Sequence, residues 1–127
     1  MFPEAEYRGR LARAQAEMRR RGLSALLVST ETDIFYFTGF QTRFWASPSR
    51  PWFVIQPVDG DPIAVIPEIG AALMGRGWVS DIRTWPAPRP EDDGITLLAA
   101  ALVEQGGPVG TPDGAESHIR MPLADFA

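Results

Sequence analysis

Apolar residues recur every three or four positions in the first part of the chain, which is the period of a helix with one buried face. Four of them form a single stripe: Tyr7, Leu11, Ala14 and Met18. Acidic residues stand at the start of the stripe and arginines at its end, as the helix dipole favours, and Gly22 is a typical stop signal. The pattern predicts a helix over residues 3–21.

A continuous apolar run at residues 25–28 follows this helix. Such a run is typical of a strand covered on both sides, usually in a parallel sheet between layers of helices. Thr30 with Asp33 resembles a capping box, with Asp where Glu is usual. The box predicts a second, short helix through Phe37, which Gly39 ends.

Two further apolar runs, residues 51–56 and 62–66, flank the turn sequence PVDGD and predict an antiparallel hairpin. Alternate residues of a strand point to opposite faces, so the first run divides into two pairs: Trp52 with Val54, and Phe53 with Ile55. Because both faces are apolar, we expect other layers of the fold to cover both sides of the hairpin.

Two more helices are predicted in the second half of the chain. The first covers residues 68–75, where Ile69 and Leu73 lie one turn apart. The second runs from the acidic residues 91–93 to Glu104, and three apolar residues are expected to face inward: Ile95, Leu98 and Leu102. Consecutive residues on a helix point in different directions, so we interpret the three acids as complements of the helix dipole and not as a metal cluster.

The remaining elements are strands and connectors. Residues 79–85 predict a strand with Asp81 and Arg83 on one wet face, near a sheet edge, and residues 108–110 fit a last short strand. The proline-rich stretch 86–90 is extended and too short to divide two domains.

The last six residues resemble the first turn of a helix, which is too short to be stable alone. We therefore predict one domain over residues 1–121 and, over residues 122–127, the start of a connector helix that leads to a further domain.

Composition narrows the function classes. The chain has 127 residues, which is one domain's worth, and a net charge of -4, which argues against nucleic acid as a partner. It contains no cysteine and no lysine, so thiolate metal sites, disulfides, Schiff-base chemistry and a P-loop are excluded. No segment has the run of about 20 apolar residues that a membrane span needs. A cytoplasmic location fits these features.

Residues that could carry chemistry are few. The single histidine, His118, excludes a metal centre of several imidazoles, and no G-x-S-x-G elbow accompanies it. One loop, residues 40–53, combines large aromatic residues with arginines, which bind carboxylates through a planar fork. We interpret Trp52 and Phe53 as core, since they begin a strand with apolar faces, whereas Phe40 belongs either to the core or to the loop. The candidate substrate-binding residues are Arg50, Arg43, Phe44 and Trp45, although the arginines alternatively serve only to solvate the loop.

Several blocks of the sequence together resemble the amino-terminal domain of the creatinase/prolidase family, the pita-bread metallohydrolases. In chain order they are Tyr7, Leu11 and Met18 with Gly22-Leu23, the run 25–28, the block DIFYFTGF at 33–40, Arg50-Pro51, and the strand Val79–Trp85. Their order and spacing carry the resemblance, and the helix that ends in Thr38-Gly39 is the strongest single match.

The resemblance implies an α/β fold of three α/β/α layers. Its mixed sheet of five to six strands would contain the antiparallel hairpin, in the ribonuclease-H-like topology of that family's amino-terminal domain. The resemblance also implies a cytoplasmic parent hydrolase that cuts C–N bonds. Its substrates would be Xaa-Pro peptides or, as in the creatinase branch, small amidino compounds.

The resemblance places the family's catalytic centre elsewhere. The metal ligands of the peptidase branch are two Asp, one His and two Glu of a carboxy-terminal domain. We therefore expect no catalytic residue, metal or cofactor in this domain, and a dinuclear Mn, Co or Zn centre in the parent enzyme. The expected partners are that catalytic domain, a second subunit in a homodimer, and a dipeptide or other small substrate. Arg50 resembles a loop arginine that family members lend to the neighbouring subunit's active site.

Three hypotheses follow. In the first, the chain is the non-catalytic amino-terminal domain of a hydrolase of this family, which helps the enzyme dimerise and shapes its substrate site. In the second, it is a free-standing α/β module that binds small anions or peptides through the aromatic and arginine-rich loop. In the third, a self-sufficient hydrolase, catalysis would have to come from His118 or from carboxylates alone, and we expect none.

Overall fold

The fold is built on a mixed five-stranded sheet with the strand order β4-β3-β2-β1-β5. The structure is a computed structural model, and it describes residues 2–42, 51–87 and 91–112. The strands are β1 (Ala25–Val28), β2 (Phe53–Pro57), β3 (Ile63–Pro67), β4 (Asp81–Trp85) and β5 (Val109–Gly110). Their short lengths and polar turns follow the pattern of apolar runs along the sequence.

The central strands pair in antiparallel fashion and the outer strands in parallel fashion. β2 pairs with both β1 and β3 antiparallel, and the pair Val54 and Ala64 belongs to the predicted hairpin. β4 joins β3 in parallel, and β5 joins β1 in parallel. The hairpin is therefore confirmed. The expectation of parallel neighbours for β1 holds only on its β5 side, because the hairpin occupies the other side.

Four α-helices accompany the sheet. They are α1 (Glu4–Arg21), α2 (Glu31–Thr38), α3 (Ala71–Met74) and α4 (Ile95–Val103), and a 3-10 turn over Glu68–Gly70 leads into α3. Gly22 ends α1 in the left-handed conformation, with φ 71°. Thr30 begins α2, because its hydroxyl oxygen accepts a hydrogen bond from the Asp33 backbone N–H at 3.2 Å. Both predicted boundaries are confirmed.

Apolar clusters cover both faces of the sheet. One cluster joins Trp52 and Val54 of the hairpin to Ile34 of α2 and Met74 of α3. The other joins the alternate hairpin residues to α4, through residues that include Phe53, Ile55, Leu98 and Ala101. The predicted division of the hairpin into two apolar faces is therefore confirmed. Burying both faces supplies the main stabilisation of the fold.

The 68–75 segment differs from its sequence pattern. Its two apolar residues, Ile69 and Leu73, point outward and are 52% and 41% exposed, whereas Gly70 and Met74 are buried. The reason lies at Gly70: a β-carbon there would lie 2.2 Å from the Trp52 ring, so only glycine allows the segment to approach the ring. The short helix is thereby turned so that its most apolar stripe faces solvent.

The prediction that helix α4 begins at the acids 91–93 is wrong. The helix begins at Ile95, because the preceding Gly94 has φ 88° and cannot belong to a right-handed helix. The Asp92 carboxylate accepts a hydrogen bond from the Thr96 N–H at 2.9 Å, and the Asp93 carboxylate accepts one from the Trp85 indole N–H at 2.6 Å. Asp92 thus caps the first turn of the helix, and Asp93 ties the chain just before the helix to β4.

The inward face of α4 is also shifted from the prediction. Leu98 is buried as expected, but Ala101 is the second buried position, and Ile95 and Leu102 are half-buried. At the sheet edge, β4 begins at Asp81, two residues later than the predicted strand over 79–85. The predicted wet face is confirmed, since Arg83 pairs there with Asp81 and with Glu104. The predicted connector helix over 122–127 and the histidine at 118 lie outside the described residues.

Candidate functional site

The four candidate substrate-binding residues belong to the segment 43–50, which lies outside the residues that the structure describes. These residues are Arg43, Phe44, Trp45 and Arg50. The structure does describe the chain on both sides of this segment, up to Thr42 and from Pro51 onward. These flanking residues form the frame of the candidate site.

The end of α2 fixes where the segment begins. Gly39 ends the helix with φ 75°, and a β-carbon at this position would lie 2.6 Å from the Tyr7 hydroxyl oxygen. The Thr38 hydroxyl donates a hydrogen bond to the Ile34 carbonyl at 2.7 Å and accepts one from the Phe40 N–H at 3.1 Å. Glycine is required at position 39 for both its backbone angle and its small size.

The chain on the two sides of the segment is held together by aromatic packing. The rings of Phe40, before the segment, and Trp52, after it, have centroids 5.4 Å apart at an interplanar angle of 37°. Both side chains are buried, as is that of Phe53. The interpretation of Trp52 and Phe53 as core is confirmed, and of the two alternatives for Phe40 the structure shows the core one. The described residues on the two sides of the predicted substrate-binding segment thus pack into the same part of the core.

Arg10 of α1 ties the first helix to the end of the second. Its guanidinium donates hydrogen bonds to the Tyr36 carbonyl at 2.6 Å and to the Glu6 carboxylate at 3.2 Å. The same group lies over three aromatic rings, those of Phe2, Tyr7 and Tyr36, at 4.9, 5.3 and 4.4 Å from their centroids. A cation at the carboxyl end of α2 is favourable because the helix dipole is negative there.

An apolar groove lies beside this frame, between α2 and α3. It has a volume of about 380 Å³. Its buried floor contains Phe40, Met74 and Val79, and the exposed side chains of Phe35 and Leu73 stand at its sides. Sequence reasoning missed this groove. The signal that could have found it is the apolar stripe of the 68–75 segment, because its residue Leu73 faces outward and lines the groove.

Arg76 lines the same groove and was also missed. It is exposed, and it makes no ion pair with any residue in the described ranges. The arginines of α1 differ, since most of them are paired with carboxylates: Arg8, Arg10, Arg19, Arg20 and Arg21. None of the described residues that line the groove is acidic.

The strongest electrostatic perturbations lie away from the groove. Hydrogen bonds from Arg20 and then Arg21 lower the pKa of the Glu17 carboxyl to about 2. Hydrogen bonds to Glu104 and then Asp81 raise the pKa of Arg83. These shifts belong to exposed or nearly exposed ion pairs, so they mark charge pairing and not a catalytic centre. Across the described ranges, no group of three or more His, Cys, Asp or Glu residues could hold a metal ion.

The sequence matches the family model of the Creatinase/Prolidase N-terminal domain over residues 10–122. It is also similar to the uncharacterized hydrolase/peptidase y4tL of Sinorhizobium fredii, with 28% identity over 113 residues. That match covers 84% of this chain and 28% of the relative. Both similarities agree with the resemblance drawn from the sequence.

Solved structures share the fold. The dipeptidase PepE from Mycobacterium ulcerans has a TM-score of 0.67 and 26% identity, and the match covers 96% of this chain and 31% of that one. A prolidase from Thermococcus sibiricus has a TM-score of 0.73 and 20% identity, with 94% and 30% covered. The N-terminal domain of an Xaa-Pro dipeptidase from Lactobacillus brevis has a TM-score of 0.70 and 16% identity, with 92% and 82% covered.

The α/β fold class predicted from the sequence is confirmed by these neighbours. The chain spans less than a third of the length of y4tL and of PepE, whereas it covers most of the separate N-terminal domain from Lactobacillus brevis. Within the described ranges, no helix is both long and apolar enough to cross a membrane.

Proposed function

The chain belongs to the creatinase/prolidase N-terminal domain family, and from this membership we propose that it is the non-catalytic domain of a C–N bond hydrolase. The parent enzyme would act on Xaa-Pro peptides or related small substrates in the cytoplasm. This domain would help the enzyme to dimerise and would shape the substrate site. The observation that carries the proposal is the family match over residues 10–122.

The segment 43–50 is the part of the domain that would meet the substrate. Arg50 would bind a substrate carboxylate through the two parallel hydrogen bonds that a guanidinium offers, and Arg43, Phe44 and Trp45 would line the site beside it. The frame of Gly39, Phe40 and Trp52 supports this role, because rigid packing on both sides limits where a binding segment can go.

The reaction chemistry would come from the catalytic domain. Divalent metal ions (Mn, Co or Zn) held there would activate the attacking water, and this chain would hold none of them. The contribution of this domain would be to bind and orient the substrate. Such a contribution affects the binding of substrate more than the chemical step.

The test is the Arg50→Ala substitution in the full-length enzyme. Loss of a charged hydrogen-bonding group should raise KM about 10- to 100-fold with a smaller change in kcat. Arg13→Ala is the matched control, because Arg13 is an exposed arginine that forms no ion pair with the described residues. Unchanged KM values across several Xaa-Pro substrates would reject the role of Arg50.

Whether the loop acts in the active site of the neighbouring subunit has its own test. Subunits carrying Arg50→Ala would be mixed with subunits whose catalytic domain lacks a metal ligand, each preparation being impaired alone. If the loop is lent to the neighbouring subunit, mixed dimers contain one complete site and activity should reappear. If exchange of subunits is demonstrated and no activity reappears, the loop does not act across the dimer.

A further inference from the structure

We propose that the groove between α2 and α3 binds a ligand that joins an apolar side chain to a carboxylate, such as the carboxy-terminal residue of a short peptide, and that Arg76 binds that carboxylate. This inference goes beyond the proposed function. The groove is lined by described residues, and binding there would need neither the catalytic domain nor Arg50.

The size and shape of the groove suit a small ligand. Its volume of about 380 Å³ lies at the small end of the range of about 300–1,000 Å³ for small-molecule pockets. That space accommodates one or two amino-acid residues and not a folded element. An interface between two protein chains would need about 1,200–2,000 Å² of buried surface, far more than this groove provides.

The lining of the groove supplies the apolar half of the recognition. Phe40, Met74 and Val79 form a floor that is already packed against the sheet. Phe35 and Leu73 remain 38% and 41% exposed at its sides, although both are large apolar residues. Placing an aliphatic side chain between them would remove this surface from water, which is the favourable step in most small-molecule binding.

The charge of the groove accounts for recognition of the ligand's carboxylate. The chain has a net charge of -4, yet no described lining residue is acidic, and Arg76 has no carboxylate partner among the described residues. A guanidinium that none of the described residues pairs, beside an apolar surface, fits a ligand that carries its own carboxylate. The Gln41 side chain at the exposed rim offers a donor and an acceptor for the amide of such a ligand.

The test uses the 127-residue chain labelled with 15N and titrated with N-acetyl-L-leucine. We expect saturable shifts of the backbone amides that line the groove, among them those of Gly39, Gln41 and Gly77. Two related compounds separate the two halves of the recognition. N-acetyl-L-leucinamide lacks the carboxylate and N-acetylglycine lacks the apolar side chain, and each should bind at least about tenfold more weakly.

Variants of the protein locate the site. Arg76→Gln should weaken binding of N-acetyl-L-leucine about tenfold, and Leu73→Ser should weaken it several-fold, whereas the matched variant Arg13→Gln should bind as the wild type does. Both substituted groove residues are exposed, so the fold should survive.

Several outcomes would overturn the proposal. They are no saturable shifts, equal binding of the leucinamide, or equal losses in Arg76→Gln and Arg13→Gln. Shifts that depend on protein concentration and not on the ligand would show that a second copy occupies the groove, which also overturns it. The full-length enzyme separates this proposal from the proposed function. If Arg50→Ala raises KM there as expected while any of these results is obtained, the proposed function stands and only ligand binding in the groove is rejected.

Discussion

The outer surface of α1 and the surface formed by α2 and α3 differ in how their arginines are paired and in how far their apolar side chains are exposed. On α1, five arginines are paired with carboxylates of the helix itself or of the β2–β3 turn, as Arg8 is with Glu4 and Asp61, and of the arginines of α1 only Arg13 has no such partner among the described residues. On the other surface, Arg76 has no such partner among the described residues, and apolar side chains such as Ile69 remain exposed. Most charged groups of the α1 surface are paired within the domain, whereas the α2–α3 surface combines a charged group without a described partner with exposed apolar side chains that a ligand can contact.

Two leucines test this contrast most strongly. Leu11 of α1 is 4% exposed, whereas Leu73 of α3 is 41% exposed. Leu11→Ala should lower the free energy of unfolding by about 3 kcal/mol, and Leu73→Ala by about 1 kcal/mol or less, because only the first leaves a cavity. Urea unfolding of both variants measures the difference. Similar losses would mean that the α2–α3 surface is part of the core and not an open surface.

The contact between the two regions can be tested at glycines. Gly39 has φ 75° and its β-carbon would clash with Tyr7 of α1, whereas Gly22 has φ 71° and nothing within 4 Å. Gly39→Ala should therefore cost about 2–3 kcal/mol of unfolding free energy, against about 1 kcal/mol for Gly22→Ala. If the two substitutions cost the same, the backbone angle alone matters, and the packing of α1 against the end of α2 is looser than the structure shows.

The pairing on α1 predicts a small effect of pH. The pKa of Glu17 falls from an unperturbed value of 4.5 to about 2 in the folded chain. Because the folded pKa lies below the unfolded one, the stabilisation is fully present above the unfolded value and is lost as pH falls toward the folded value. The melting temperature of the wild type should exceed that of Glu17→Gln by a small margin at pH 6, and the margin should narrow below about pH 4.5.

Melting curves at several pH values would check this, since both proteins can be compared under identical conditions. A margin that stays constant down to pH 3 would show that Glu17 acts through packing and not through its charge. A margin that widens on acidification would contradict the direction of the pKa shift.

Periodicity and capping residues predicted much of the fold. The hairpin faces of Trp52 and Phe53, the cap at Thr30 and the stop at Gly39 each depend on neighbours along the chain, and each is confirmed. Local pattern is sufficient in these cases because the period and the turn residues act over only a few positions.

The features that the sequence did not reveal depend on contacts between distant residues. The outward stripe of α3 follows from Gly70 lying against the Trp52 ring, and the late start of α4 follows from the backbone angle of Gly94. No sequence motif points to Arg76. What distinguishes it is its place in an apolar groove without a carboxylate partner among the described residues, and only the folded structure shows this. The site proposed around Arg50 remains a prediction.

The central claim is that this domain positions chemistry that another domain performs. The most direct measurement is a side-by-side assay of the 127-residue chain and the full-length protein on Xaa-Pro dipeptides with Mn²⁺, Co²⁺ or Zn²⁺ supplied. The account predicts turnover by the full-length protein and none by the folded 127-residue chain. Hydrolysis by that chain alone, at a rate proportional to its concentration and lost when it is unfolded, would contradict it.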